Sequence, residues 1–318
     1  MPPESIVTTV GERTLTLTNL DKVLYPAAHF TKAEIISYYL GIAETMLPHL
    51  AGRCLTRVRF PNNVEAQPFF EKNMPAGAPD WLSVQPVLGT EGRIDYLVAT
   101  EPATLVYLAN LAALELHAPQ WTVEHTTMED GAVLLAAEHE PRATTCVIDL
   151  DPGPGMTIVD VAKGALIIAH RLASDGVLAS VKTSGSKGLQ LSAPIAPTPS
   201  EDVVRYVARL AAELSRAHPD LFVATMAKSA RSERIYIDYL QNKAARNTIC
   251  AYSLRGKEKP WVATPVTWDE VGAADSPDAL RFLPEDVLAR VAESGDLFAD
   301  VLADDGPPVP RVESGVDA

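Results

Sequence analysis

The 318-residue chain is short of cysteine, of positive charge and of long apolar runs, and each shortage narrows what it can be. Its three cysteines, Cys54, Cys146 and Cys250, stand far apart and match no zinc spacing; they fit buried thiols in a reducing cytoplasm. No stretch approaches the roughly 18 consecutive apolar residues a membrane span requires, so no membrane partner is expected. The opening MPPESIVTTVGERT lacks a basic start followed by an apolar segment. A cytoplasmic protein without a secretory signal is therefore expected. With 47% apolar residues and a mean hydropathy of +0.04, a globular protein with a sizeable core remains.

The net charge of −14 argues at first against a polyanionic partner, but the deficit is uneven. Residues 181–259 carry 13 Lys and Arg against 7 Asp and Glu, whereas residues 1–180 and 260–318 each carry a net −10. A basic segment inside an acidic chain suits one face that meets phosphates; ordinary solvated lysines and arginines are the bland alternative.

Alternation predicts strands at 13–19, 54–60 and 93–100, the second placing Arg57 and Arg59 on one face. Thr31 and Glu34 form a capping-box pattern that opens a helix to about His49. Residues 103–116 read as a largely buried helix, and 122–141 are acidic and poorly patterned. Beyond them, strands are predicted at 144–151, 177–184, 188–194, 234–240 and 247–254. Helices are predicted at 157–175, at 200–217 and towards residue 302. This mixed order with hairpin-like pairs predicts an α+β fold, and the tail from 304 to 318 has a disordered composition.

The stretch VIDLDPGPG puts Asp149 and Asp151 on one face of a strand, roughly 7 Å or less apart. Such a pair repels itself unless solvent, a basic side chain or a metal ion intervenes. Asp238 in RIYIDYL lies opposite Ile235 and Ile237, in a position where strand propensity disfavours it. Three aspartates from two strands suit one or two Mg²⁺ or Mn²⁺ ions; aspartates capping a Pro152–Gly153 turn are the alternative. In TSGSKGLQL, two glycines, Ser184, Ser186 and Lys187 suit a phosphate cradle, or simply a polar hairpin turn. The loop is not a Walker motif. Arg231, Arg234, Lys243, Arg246 and Arg255 flank Asp238, either as salt-bridge partners or as a clamp for phosphates.

DLDP, then SGSKGLQL, then IDYLQN with SLRG downstream, resembles the three-motif pattern of the archaeo-eukaryotic primase superfamily. More narrowly, it resembles the polymerase domain of bacterial ATP-dependent DNA ligase D and its stand-alone relatives. LTNLDKVLYP, PFFEKNMP, DWL and LELHAPQW resemble further blocks, so the resemblance runs from about residue 13 to 300.

The resemblance implies a single domain over 1–303. A primase-like core of mixed and antiparallel sheets would occupy about 141–303, with a DNA-binding α/β part over about 1–140 packed on it. It implies Asp149, Asp151 and Asp238 as the catalytic carboxylates holding two Mn²⁺ or Mg²⁺ ions. It implies His117, Ser184, Lys187, Arg231, Gln241 and Arg255 on a nucleoside triphosphate. Lys22 and Lys72 would meet DNA, Lys22 at a downstream 5′-phosphate, and Phe69 and Phe70 would stack on the template. By themselves, Phe69 and Phe70 read as core and His117 as a helix-end histidine.

The implied activity is template-dependent addition of ribo- or deoxynucleotides to a primer 3′ end at gaps or broken ends, in end joining or gap filling. The implied partners are gapped or broken double-stranded DNA bearing a 5′-phosphate, with a ligase and an end-binding protein in trans to a monomer. One departure stands inside the second motif, where the family usually shows SGxKGLH and this chain has Gln190. Glutamine donates a hydrogen bond but carries no charge, so a weaker triphosphate grip or rate is expected. Segment 122–141 also departs from the family's pattern. A catalytically idle DNA-end module is the main rival reading. A glycosidase using Asp149 and Asp238 gives the basic segment no role.

Overall fold

A computed structural model describes residues 5–90, 92–225 and 227–312. The chain opens with two antiparallel hairpins, β1 (Ser5–Val10) with β2 (Arg13–Thr18) and β3 (Val23–Tyr25) with β4 (Phe30–Thr31). Thr31 caps α1 (Lys32–Gly41): its Oγ1 accepts from the Glu34 N–H, and the Glu34 carboxylate accepts from the Thr31 N–H. The helix predicted to run to His49 breaks at Ile42 and resumes as α2 (Ala43–Leu50). β5 (Thr56–Arg59) pairs with β6 (Phe69–Glu71), and β7 (Val84–Gly89) with β8 (Gly92–Leu97).

The helix predicted over 103–116 is shorter than expected. α3 (Pro102–Asn110) ends early, Ala112 turns with a φ of 56°, and β9 (Ala113–Ala118) follows as an inner strand. A strand buried on both faces loses its alternation, so ALELHA carries no period that separates it from a buried helix. The poorly patterned segment holds β10 (Met128–Glu129) and β11 (Ala132–Leu134), a short hairpin that joins β7 in parallel.

β12 (Arg142–Pro152), α4 (Ile158–Ser174), β13 (Ser180–Thr183), β14 (Leu189–Pro199) and α5 (Ser200–Ala217) come next. Then come β15 (Phe222–Val223), β16 (Ile235–Asp238), β17 (Thr248–Ile249), β18 (Pro265–Val266), α6 (Trp268–Gly272) and α7 (Pro284–Ser294). A six-stranded sheet runs in the order β15-β16-β12-β14-β13-β18, antiparallel except between β15 and β16. The fold is α+β.

Alternation divides the two faces of that sheet. Ile148, Leu150, Leu191 and Ile237 form a core with Val161, Ile168, Val203 and Leu210 of α4 and α5. The intervening residues of the same strands point the other way. A second core joins α1, α2 and α3 to residues from the far end of the chain, including Tyr252, Leu254, Val287 and Phe298. The chain thus returns to its N-terminal half after completing the large sheet; of the strand predicted over 247–254, only Thr248 and Ile249 pair with β9. Residues 304–312 run beside β14, where the Ala196 N–H donates to the Pro307 carbonyl at 3.0 Å.

The strand predicted over 234–240 ends at Asp238, and Tyr239–Asn242 turn away as a 3₁₀ helix. Asn242 then takes the place of a neighbouring strand: its Oδ1 accepts from the Val147 N–H and its Nδ2 donates to the Val147 carbonyl. Asn242→Leu would strand two buried backbone groups, each worth about 1–3 kcal/mol. We expect denaturant unfolding to show a loss of about 3 kcal/mol; a loss under about 1 kcal/mol would mean that the amide is dispensable there.

Candidate active site

The strand register assembles the site. Asp149 lies directly opposite Asp238 on one side and Gln190 on the other, and Gln190 lies opposite Lys182. Directly opposed residues share a face, so Lys182, Gln190, Asp149 and Asp238 form one row across four strands. Asp151 stands two residues along from Asp149, opposite Tyr236. Oxygen atoms of Asp149, Asp151 and Asp238 all lie within 4.8 Å of one another.

Two glycines let the flanking loops close in. A Cβ on Gly188 would come within 2.2 Å of the Leu150 carbonyl, so only glycine brings the Ser184–Lys187 turn against β12. A Cβ on Gly153 would lie 1.6 Å from the Arg231 carbonyl. The Pro-Gly-Pro-Gly end of β12 is therefore a contact surface for the Arg231 loop as well as a strand terminator.

The carboxylates differ in their surroundings. Asp149 is buried, and Gln190 Nε2 donates to its Oδ1 at 3.0 Å. Burial pushes its carboxyl up to about 7, repulsion from Asp151 and Asp238 adds to this, and Gln190 and Lys182 oppose it. Asp151 is raised too, by partial desolvation and by Asp238, against the pull of Arg231 and Arg255. Asp238 is held by three donors: the Leu240 N–H, the Tyr236 hydroxyl and Gln241 Nε2. Burial lowers the Lys182 ammonium to about 7, with Asp149 pulling the other way. An all-oxygen donor set under mutual repulsion suits a hard divalent cation such as Mg²⁺ or Mn²⁺.

Around this centre, Ser184 Oγ accepts from the Ser186 and Gly188 N–H groups and closes the turn, while Lys187 is exposed at its tip. A cavity of about 160 Å³ adjoins the turn, bordered by Lys187, Thr157 and Arg281. The Arg231 guanidinium lies 3.7 Å from the Tyr236 ring centroid. Gln241 turns its amide onto Asp238.

His117 and Arg255 share a partner absent from the sequence reading. Glu115 Oε2 binds His117 Nε2 at 2.9 Å, and its Oε1 meets Arg255 Nε at 3.2 Å. Burial alone would raise the Glu115 carboxyl, but the His117 hydrogen bond and the Arg255 charge hold it near about 2. Period-two spacing in ELH was the available signal, hidden by the helical reading of that stretch.

Phe69 and Phe70 are 60% and 76% exposed, so they are surface residues. Phe70 lies opposite Val58, itself opposite Glu115, which sets Phe70 and Glu115 on one face about 10 Å apart. Lys72 borders a cleft of about 630 Å³ that also contains Trp121, Tyr96 and Arg246. Lys22 donates to the Pro61 carbonyl at 2.6 Å. Its neighbour Lys32 was missed in the sequence: buried at the start of α1 and bonded to the Thr18 carbonyl, it is lowered to about 8 by burial and by Lys22 and Arg59.

Residues 31–298 match the family model described as LigD, primase-polymerase domain. The chain belongs to the LigD primase-polymerase family. It is 41% identical over 296 residues to the multifunctional non-homologous end joining DNA repair protein LigD of Mycobacterium tuberculosis, covering 92% of this chain and 38% of that one. It is 32% identical over 288 residues to the bifunctional non-homologous end joining protein LigD of Bacillus subtilis, covering 90% and 44%. The chain thus spans about two fifths of the curated relatives it matches. A solved polymerase domain from Mycobacterium tuberculosis ligase D, in complex with DNA, superposes with a TM-score of 0.83 at 41% identity, over 92% of this chain and 99% of that one.

The raised Asp149 carboxyl makes stability depend on pH. A raised acid holds its proton more tightly in the fold than in the unfolded chain, so its contribution is full below about pH 4 and lost as pH rises through about 7. The melting temperature of the cation-free protein should therefore fall between about pH 5 and about pH 7. Asp149→Asn should flatten that fall and added Mn²⁺ should reverse it; an equal slope in the variant would assign the effect to other groups.

Proposed function

We propose that this LigD primase-polymerase family member is a template-dependent nucleotidyltransferase that extends a primer 3′ end at gaps or broken ends in DNA. What carries the reading is the convergence of three carboxylates beside a glycine-bounded, lysine-tipped turn. Asp149, Asp151 and Asp238 would hold two divalent ions, whose chemistry is to lower the pKa of the primer hydroxyl and offset charge on the departing pyrophosphate. Asp238, held by its three donors, keeps its oxygens aimed at the cluster. Lys187, Arg231 and Arg255 would neutralise the triphosphate, with Ser184 shaping the turn. Glu115 would keep His117 and Arg255 facing the nucleotide.

The exposed Phe69–Phe70 pair is suited to stacking on template bases, worth about 1–3 kcal/mol per base without regard to sequence. Lys22, with Lys32 and Arg59 nearby, is suited to a downstream 5′-phosphate, and Lys72 to the DNA backbone. Residues 1–303 would act as one domain in the cytoplasm, as a monomer, alongside a ligase and an end-binding protein. Use of ribonucleotides and preference for Mn²⁺ belong to the same reading.

The rival, an idle DNA-end module, loses its main support because Gln190 is hydrogen-bonded to a carboxylate of the cluster and takes none away. Primer extension on a gapped duplex separates the two. With Asp149→Ala and Asp151→Ala together, nucleotide addition should drop by at least about 10³-fold while DNA binding persists; wild-type protein that adds no nucleotide with any divalent cation would support the module. Lys22→Ala should remove most of the preference for a gap bearing a 5′-phosphate, read as the ratio of extension rates with and without that group. An unchanged ratio would place phosphate recognition elsewhere.

A further inference from the structure

Lys182 is 3% exposed in the middle of β13, and its ammonium donates to Gln190 Oε1 at 2.6 Å. Gln190 in turn donates from Nε2 to Asp149 Oδ1 at 3.0 Å. The three side chains are direct neighbours across adjacent strands. In its protonated form a lysine has three donors and no acceptor, so it then accepts only one orientation of the facing amide. With Oε1 turned to Lys182, the NH₂ group must face Asp149. If the amide were free to flip, it could present its oxygen to the carboxylate, repel it and turn it from the other two.

From this geometry we infer that Lys182 is a positioning residue for the cation site. It locks the Gln190 amide so that the Asp149 carboxylate is held by one oxygen and keeps the other for the cluster. Gln190 therefore acts on a carboxylate, with its own orientation set from behind by a buried charge. A histidine in place of Gln190 can donate a ring N–H to Asp149 in one tautomer without a cationic neighbour. The inference rests on the cation-binding reading above and refines it.

Mn²⁺ titration followed by the electron paramagnetic resonance of the free ion, in the absence of nucleotide and DNA, tests both separately. Wild-type protein that binds no Mn²⁺, or binds it no better than Asp149→Asn, overturns the cation-binding reading itself and this inference with it. If wild type binds, Lys182→Met should weaken Mn²⁺ about 10- to 100-fold, the range for losing a group that orients a metal ligand. The double variant Lys182→Met with Gln190→His should return to within about threefold of wild type. Wild-type affinity in Lys182→Met, or a double variant no better than Lys182→Met, overturns the role of Lys182 alone. Should Lys182→Met fail to fold, Gln190→Leu breaks the same link from the other side. It should lose Mn²⁺ affinity to a similar degree, and unchanged affinity there also overturns the inference.

Discussion

Three carboxylates with oxygens inside 4.8 Å repel one another, and one of them is buried. The apolar packing that fixes the strand register brings them together, and it has to overcome that repulsion. Each surrounding feature lessens the cost in a definite way. Gln190 donates to Asp149, three donors hold Asp238, and the charges of Arg231 and Arg255 act on Asp151. Burial first, and then what remains of that repulsion, raises the Asp149 carboxyl, and the three residues together could hold a metal ion.

The supporting architecture follows from the same requirement. One face of the six-stranded sheet is covered by α4 and α5 and is apolar; the other carries the row from Lys182 to Asp238. That polar face turns towards the N-terminal half, where Glu115 on β9 tethers Arg255 from late in the chain. Membership of the LigD primase-polymerase family and the DNA-bound solved relative give this convergence its chemical context. The exposed aromatic pair on β6 lies two strands from Glu115 in the same sheet.

The negative charge of the chain is not evenly spread. The net −14 is carried mainly by residues 1–180 and 260–318, whereas the segment from 181 to 259 is net positive. Arg231 and Arg255 from that segment act on Asp151, and Lys187 stands exposed at the tip of the turn that Gly188 brings against β12. Local field rather than total charge governs what approaches the site.

Much was legible in the sequence because it depends on neighbours along the chain. The period of two put Asp149 and Asp151 on one face, the capping box began α1 at Lys32, and the ordered motifs identified the family. The exposure of Phe69 and Phe70 was legible only through the family resemblance and not from composition, and the early end of α3 and the strand character of ALELHA were not legible. Burial on both faces erases periodicity, and an edge strand exposes side chains that composition would place inside. Only tertiary structure decided that Asp238 pairs with Asp149, that Glu115 links His117 to Arg255, and that a buried lysine stands behind Gln190. Apart from the Glu115–His117 bond within β9, those contacts join residues 8 to 140 positions apart. Strand register pairs Asp149 with Asp238 and Lys182 with Gln190, and the return of the late chain brings Arg255 to Glu115, neither of which has a counterpart in local sequence.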